Sequence, residues 1–178
     1  MFKTLLIVVV VTVLGVLGLA AIQPDSFTVQ RQVSVSATPD KVFALINDFH
    51  RWGEWSPWEA LDPAMQRNYS GPASGPGAVY VWAGNKAVGA GRMEITSAQP
   101  ASRLAIKLDV LRPFEGHNTT VFTLAPQGAA TRVTWTMRGP MPFVSKLMSV
   151  FVSMDKLIGT DFEAGLAKMK AVAEQAGA

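Results

Sequence analysis

The sequence predicts an α+β domain that follows an apolar N-terminal segment. Three patterns support this fold class: an uncharged apolar run over residues 4–22, short alternating stretches separated by turn residues from 78 to 138, and an apolar stripe at helical spacing from 143 onward. The stretch 27–178 is long enough for one domain that buries its own core.

The N-terminal segment, residues 1–26, is predicted to be a transmembrane anchor. Its uncharged run over 4–22 is close to the roughly 20 residues that a membrane-spanning helix needs. Lys3 precedes the run and Asp25 follows it, so the positive-inside rule predicts a single pass with a cytoplasmic N-terminus and an outer, periplasmic domain. A signal peptide cleaved after the small residues Gly18 and Ala20 is the alternative, which would give an exported soluble protein.

The domain, residues 27–178, is predicted to begin with a half-buried strand. Apolar residues occupy every second position from Phe27 to Val35, except that Arg31 falls on the apolar phase. Thr38 then suits the cap of a short helix and Pro39 suits its first turn.

Residues 78–138 are predicted to form an antiparallel meander. Alternation or strand-favouring residues mark 78–83, 89–97, 104–110, the surroundings of Phe122 and Leu124, and 131–138. The turns between these stretches are short, and parallel neighbours would need long crossovers.

The C-terminal part is predicted to be a long helix packed on the sheet. Gly159 lies in its middle, and we expect a break or kink there because glycine costs about 1 kcal/mol relative to alanine inside a helix. The first half, 143–154, is apolar on nearly all sides, which also makes it a candidate for docking to a membrane or a partner. The apolar stripe comprises Leu147, Phe151, Met154, Ile158, Phe162, Leu166, Met169 and Ala173.

In its segments 37–43, 52–57, 131–135 and 158–170, the chain resembles the polyketide cyclase/dehydrase-type branch of the START-like (SRPBCC, Bet v 1-like) superfamily. The resemblance implies a helix-grip fold, in which about seven curved antiparallel strands wrap around a long C-terminal helix and leave a cavity between them. It also implies an apolar ligand such as a lipid, sterol, quinone, polyketide or hormone, while a minority of members catalyse cyclisation or dehydration.

The resemblance places a ligand cavity along the last strands and the first half of the terminal helix. Large, soft tryptophan and methionine side chains suit such a cavity, although simple core packing explains the same composition. The expected lining residues are Tyr80, Trp82, Met93, Phe122, Trp135, Met137, Met148, Phe151 and Met154.

Three charged or titratable residues are candidate polar contacts to a ligand. Arg31 would suit a ligand carboxylate, or it is a strand-end residue that extends to water. Asp109 is such a candidate or a rim partner of Arg112, and His117 lies near Glu115 in the chain.

The composition excludes several classes of function. The chain has no cysteine, which rules out disulfides and thiolate chemistry. With a formal net charge of +3 and no block of like charges, we expect no nucleic-acid partner. The two histidines lie far apart in the sequence, so we expect no metal site and no cofactor.

These observations predict binding or carriage of a hydrophobic small molecule, lipid, fatty acid or quinone-like, at the membrane surface. Catalysis is left open, and no residue is assigned a catalytic role. One alternative is a cyclase- or dehydrase-like enzyme that uses Tyr80, Asp109 or His117 as acid or base. The other is an interaction or stress module without a ligand, which a solid core would favour.

Overall fold

The computed structural model describes residues 1–175 and confirms the α+β class and the helix-grip architecture. One antiparallel sheet curves around the C-terminal helix. The described helices are α1 (Phe2–Ala21), α2 (Pro39–Ile46), α3 (Phe143–Ser149) and α4 (Met154–Gln175), with short 3-10 helices at Phe49–Glu54 and Pro57–Ala60; the strands are β1 (Ser26–Val35), β2 (Gln66–Ser70), β3 (Val79–Ala83), β4 (Ala90–Gln99), β5 (Arg103–Arg112), β6 (Gly116–Gln127) and β7 (Ala130–Pro140).

The strand order is β1-β7-β6-β5-β4-β3-β2, so the expected meander runs through the sheet and β1 pairs with the last strand. β2 was not predicted from the sequence. It is an edge strand of five residues, Gln66–Ser70, and four of its five side chains are exposed. It therefore lacks the alternation of apolar and polar residues by which a strand is recognised.

The antiparallel registers give the sheet two distinct ends. Ser26 pairs with Pro140, Ala83 with Ala90, and Val110 with Gly116. The start of β1, the end of β7 and the β3–β4 and β5–β6 connections therefore lie at one end, which we call the α1 end because α1 precedes β1. The β4–β5 and β6–β7 hairpins lie at the opposite end.

The inner face of the sheet carries the core and packs against α4. Cross-strand pairing aligns Ile95, Ile106, Thr120, Met137 and Val29 in one row. The side of α4 that packs on the sheet consists of apolar residues of the predicted stripe and of two glycines that allow close packing. The buried α4 residues are Gly159, Phe162, Gly165, Leu166, Met169 and Ala173.

α1 projects from the domain and is long and apolar enough to cross a membrane, with a mean hydropathy of 2.8. Of its residues, Ala20 is buried. α1 contacts α3, and Lys146 of α3 forms an ion pair with Asp25, the residue before β1. The backbone N–H of Met141 also donates to the carbonyl of Asp25 at 2.8 Å.

The terminal helical region divides at a different place from the one predicted. α3 ends at Ser149 and α4 begins at Met154, whereas α4 continues through Gly159 without interruption. The Oγ of Ser153 accepts a hydrogen bond from the N–H of Lys156 at 3.1 Å, which caps the start of α4. The expected break at Gly159 was therefore wrong.

Gly159 makes room for Arg31 instead. The Arg31 guanidinium lies across the helix at this residue, with Nε 2.6 Å from Glu163 Oε1 and Nη1 2.8 Å from Asp155 Oδ1. A Cβ added to Gly159 would stand 2.1 Å from Arg31 Nη2. The arginine thus ties β1 to α4 at the edge of the inner face, and its side chain is 25% exposed.

This contact predicts an unusual response to Gly159→Ala. Alanine should stabilise a helix by about 1 kcal/mol over glycine, but in the native chain it displaces the Arg31 guanidinium and weakens its ion pairs, so this gain in the free energy of unfolding should be reduced or lost. In an Arg31→Met background the same substitution should stabilise the protein. Urea unfolding of the native chain and the three variants in detergent micelles, followed by tryptophan fluorescence, measures this coupling. Equal effects of Gly159→Ala in the two backgrounds would contradict the contact.

Candidate ligand-binding site

The centre of the inner face is filled by aromatic rings. Trp135 of β7 stacks on Phe162 of α4 with ring centroids 3.9 Å apart, and Phe122 stacks on Trp135 at 4.9 Å. Trp55 packs edge-on against Trp135 at 5.5 Å, and its Nε1 donates to the carbonyl of Leu45. Phe122 and Trp135, both expected to line a cavity, are fully buried core residues in this structure.

Trp135 carries a buried polar atom that lacks a partner. Its side chain is 1% exposed, and its indole N–H has no hydrogen-bond acceptor among the residues that the structure describes. An unsatisfied buried donor costs about 1–3 kcal/mol. A hydrogen-bond acceptor brought into this region would recover that energy.

Nearer the α1 end the inner face becomes less tightly enclosed. Five residues form what we call the methionine rim: Trp82, Met93, Leu108, Met137 and Met154. Met93 and Met137 are buried, whereas the other three are partly exposed and pack against the core. Four of the five were predicted as lining residues, and Leu108 was not. The methionine side chain adapts its shape readily. The interface between the sheet and α4 is therefore more adaptable at the methionine rim than at the stacked rings of Trp135 and Phe162.

Two polar residues that the sequence analysis missed adjoin the rim. Asn118 pairs with Leu108 across β5 and β6, and Thr120 pairs with Met137 across β6 and β7. Thr120 is 3% exposed, and the Asn118 side chain lies over Gly139, where a Cβ would stand 1.9 Å from Asn118 Oδ1. Both residues share the alternating phase of Phe122 on β6, which was the signal that could have found them.

His117 and Asp109 lie on the other face of the sheet. The His117 ring Nδ1 is 2.7 Å from Asp109 Oδ1, and Lys107 Nζ is 3.0 Å from Asp109 Oδ2. The hydrogen bond with His117 and the charge of Lys107 hold the pKa of Asp109 below its ordinary value. Asp109 is therefore paired with His117 and Lys107 on the outer face, and neither candidate reaches the inner face.

Tyr80 belongs to a separate polar cluster at the inner face. Its hydroxyl donates to Glu59 Oε1 at 2.6 Å, and Arg67 Nε donates to Glu59 Oε2 at 2.7 Å. Burial, together with the hydrogen bond to Glu59, raises the pKa of Tyr80. Tyr80 is thus held protonated, as a hydrogen-bond donor. Its backbone pairs with Met93, which connects the cluster to the methionine rim.

Met148 and Phe151 lie away from the inner face. Met148 of α3 is 48% exposed and Phe151, just after α3, is 71% exposed. The reason is the separation of α3 from α4, which turns this apolar segment outward beside α1. Both residues therefore lie on the surface of the domain, whereas Met154, the first residue of α4, lies at the methionine rim.

Surface pockets lie elsewhere. One of about 260 Å³ is formed by Phe49, His50, Tyr69 and the turn at 70–73, beside the start of β3 and thus at the end opposite to α1. The His50 ring stacks on Tyr69 with centroids 4.1 Å apart. None of the predicted lining residues borders this pocket. Within residues 1–175, no group of three acidic or histidine side chains is arranged to hold a metal ion.

The Tyr80 cluster predicts how stability depends on alkaline pH. Because the folded-state pKa of Tyr80 is raised above the ordinary value of 10.0, its contribution is intact below pH 10 and is lost as pH rises above it. Tyr80→Phe should remove this part of the alkaline destabilisation. Absorbance titration is simple because the chain has two tyrosines. A phenolate signal from Tyr80 in folded protein near pH 10 would contradict the cluster.

Solved structures confirm the fold. A protein from Thermobifida fusca aligns with a TM-score of 0.62 at 20% identity, covering 83% of this chain and 93% of that chain. The Aha1 dimer from Colwellia psychrerythraea gives 0.60 at 14%, covering 85% and 99%. DynU16, from the dynemicin biosynthetic locus, gives 0.58 at 19%, covering 84% and 47%. At these identities the likeness concerns the fold alone.

Sequence comparison identifies the family. No curated protein sequence matches the chain. A family model described as polyketide cyclase / dehydrase and lipid transport matches residues 26–174, which include all seven strands and almost all of α4. This match agrees with the resemblance of the four sequence segments and with the helix-grip sheet. The chain therefore belongs to the polyketide cyclase / dehydrase and lipid transport family.

Proposed function

We propose that the protein binds a hydrophobic small molecule, such as a lipid, fatty acid or quinone, between α4 and the α1-end half of the inner face. The observation that carries this proposal is the methionine rim, where Trp82, Leu108 and Met154 are partly exposed beside a firmly packed core. Apolar surface next to adaptable methionines suits an apolar ligand whose shape is accommodated by repacking.

The polar groups beside the rim indicate what else the ligand carries. Asn118 and Thr120 adjoin Leu108 and Met137, and the buried N–H of Trp135 has no acceptor among the described residues. An apolar ligand with one carbonyl or hydroxyl oxygen would meet donors at the end of an otherwise apolar path. A pure hydrocarbon would leave the indole N–H unsatisfied.

Entry requires the first turns of α4 to separate from the sheet. The polar links that hold α4 to β1 lie at its edge: Arg31 to Asp155 and Glu163, and Lys170 Nζ to the carbonyl of Ser34 at 2.8 Å. Solvent-exposed ion pairs contribute little to stability, typically about 0–1 kcal/mol. The stacked Trp135 and Phe162 would remain as a hinge while the rim opens.

α1 is proposed to anchor residues 27–178 at the membrane. Its length and hydropathy suit a single crossing, and Lys3 before it and Asp25 after it favour a cytoplasmic N-terminus and an outer domain. A domain held at the bilayer would exchange an apolar ligand with lipid directly. The alternative is an exported soluble protein from which α1 has been removed.

A ligand-free interaction module is the second candidate. The stacking of Trp135 on Phe162 favours it, because the centre of the interface is solid in this structure. The enzyme alternative has less support. Its candidate acid–base residues lie apart, with Asp109 and His117 on the outer face and Tyr80 on the inner face, where its raised pKa disfavours a role as base.

The ligand proposal predicts that apolar molecules remain bound during gentle purification. Native mass spectrometry and lipid extraction of full-length protein from membranes should show one bound lipid-like molecule. Leu108→Gln, which places an amide in the rim, should reduce its occupancy by roughly tenfold, the effect of about 1.4 kcal/mol. Val121→Gln, on the partly buried outer face of β6, is the matched control and should retain it. Ligand-free protein that also fails to bind added fatty acid would favour the interaction module.

The anchor proposal predicts an intact N-terminus and an outer domain. The mass of the mature chain should include residues 1–21, and protease added to bacterial spheroplasts should digest the domain from outside. A cytoplasmic control protein should survive the same treatment. A mature chain beginning near Ala21 would instead identify a cleaved signal peptide and an exported soluble protein.

A further inference from the structure

The exposed apolar side chains of the domain are concentrated at the α1 end. Leu111 and Phe114, in the β5–β6 connection, are 53% and 62% exposed. Exposed apolar residues of this size in a cluster mark an interaction site more often than a free surface. Among the described residues that follow Ile22, Tyr69 alone falls outside this set: Leu61, Leu111, Phe114, Phe143, Val144, Met148, Phe151, Val152 and Leu157.

The fold explains why these residues meet. Phe114 lies at the α1 end because β5 and β6 turn there, and α3 lies there because it follows the end of β7 and contacts α1. Leu61 joins them through the β3–β4 connection, where Asn85 Nδ2 donates to its carbonyl. Segments far apart in the chain thus present exposed apolar side chains at the same end of the domain, which we call the end face.

The short connection between α1 and β1 keeps the end face close to the C-terminal end of α1. Residues 22–25 join α1 to β1, and four residues span at most roughly 14 Å when extended. The ion pair between Asp25 and Lys146 also holds α3 close to the exit of α1. If α1 crosses the bilayer, the end face is therefore held within reach of the lipid headgroups.

Charges of both signs lie at this end. The cations are Lys86 in the β3–β4 connection, Arg112 at the end of β5 and Lys156 in the first turn of α4, and the carboxylates include Asp62 and Glu115. Cations that border an apolar surface can contact lipid phosphates while the apolar side chains enter the acyl region. A soluble protein partner would have to cover the same surface without clashing with the membrane.

We propose that the end face is inserted in the membrane interface, with Phe114 and Phe151 below the headgroups. This inference rests on the proposed membrane anchor and is independent of whether a ligand binds. It also gives the methionine rim a route to lipid, because Trp82 and Met154 lie towards the same end of the inner face. An apolar molecule would then pass from the bilayer to the rim without crossing water.

The absence of native cysteine allows a direct test with single labelled cysteines in the full-length chain. Phe114→Cys and Phe151→Cys would carry an environment-sensitive NBD fluorophore in vesicles of phosphatidylcholine and phosphatidylglycerol. Gln127→Cys is the matched control, because residue 127 ends β6 at the opposite end of the sheet from Phe114. Lipids with a doxyl quencher on the acyl chain report contact with the bilayer.

We expect doxyl lipid to quench the labels at 114 and 151 at least roughly threefold more than the label at 127, as for side chains buried several ångströms into the interface. Phe114→Asp should reduce quenching at 151 while the protein stays folded by circular dichroism. If aqueous iodide quenches the labels at 114 and 151 as strongly as the label at 127, the inference is overturned. Protection from iodide without doxyl quenching would also overturn it, and would indicate that the end face contacts a second copy of the chain.

Co-flotation with the vesicles distinguishes failure of the inserted end face from failure of the membrane anchor. Protein that floats but shows no quenching at the end face would overturn this inference alone. Protein that does not float would overturn the anchor and the inserted end face together. Ligand occupancy is measured separately by native mass spectrometry, so neither result depends on it.

Discussion

The stacking of Trp135 on Phe162 sets the distance between the sheet and α4, and the rest of the interface follows from that distance. Gly165 permits the approach, because a Cβ there would stand 3.0 Å from both Pro57 and Trp135. Around this contact the space is taken up by rigid rings. Closer to α1, the interface between the sheet and α4 is formed by methionine side chains and by other apolar side chains that are partly exposed. A single contact thus divides the domain into a fixed part and an adaptable part.

Much of the fold could be predicted from the sequence because its signals are local. Alternation identified the interior strands, and the spacing of Phe162, Leu166 and Met169 identified the buried side of α4. Two features were inaccessible for physical reasons. β2 is a polar edge strand without a buried face, and the role of Gly159 depends on Arg31, which lies more than a hundred residues away in the chain.

The candidate site was less predictable because it depends on which way side chains point. The sequence identified Met93, Met137 and Met154 as candidates, and in the structure the first two belong to the hydrophobic core and the third packs against it, while their role in binding stays a prediction. His117 drew attention through its chemistry, yet its neighbour Asn118 shares the inner phase of β6. Phe151 fitted the apolar stripe and Met148 belonged to the helix half that is apolar on nearly all sides, but both precede the non-helical link between α3 and α4, which only the tertiary structure reveals.

The four residues between α1 and β1 limit how far the domain can travel. A carrier on a long flexible tether can shuttle between two membranes, whereas a domain with so short a connection stays at the bilayer that holds α1. If α1 is retained, transport across an aqueous compartment would require a second protein to collect the cargo. If the proposed lipid-like ligand also binds, the chain would take molecules from the leaflet beside it and present them to partners that diffuse to it.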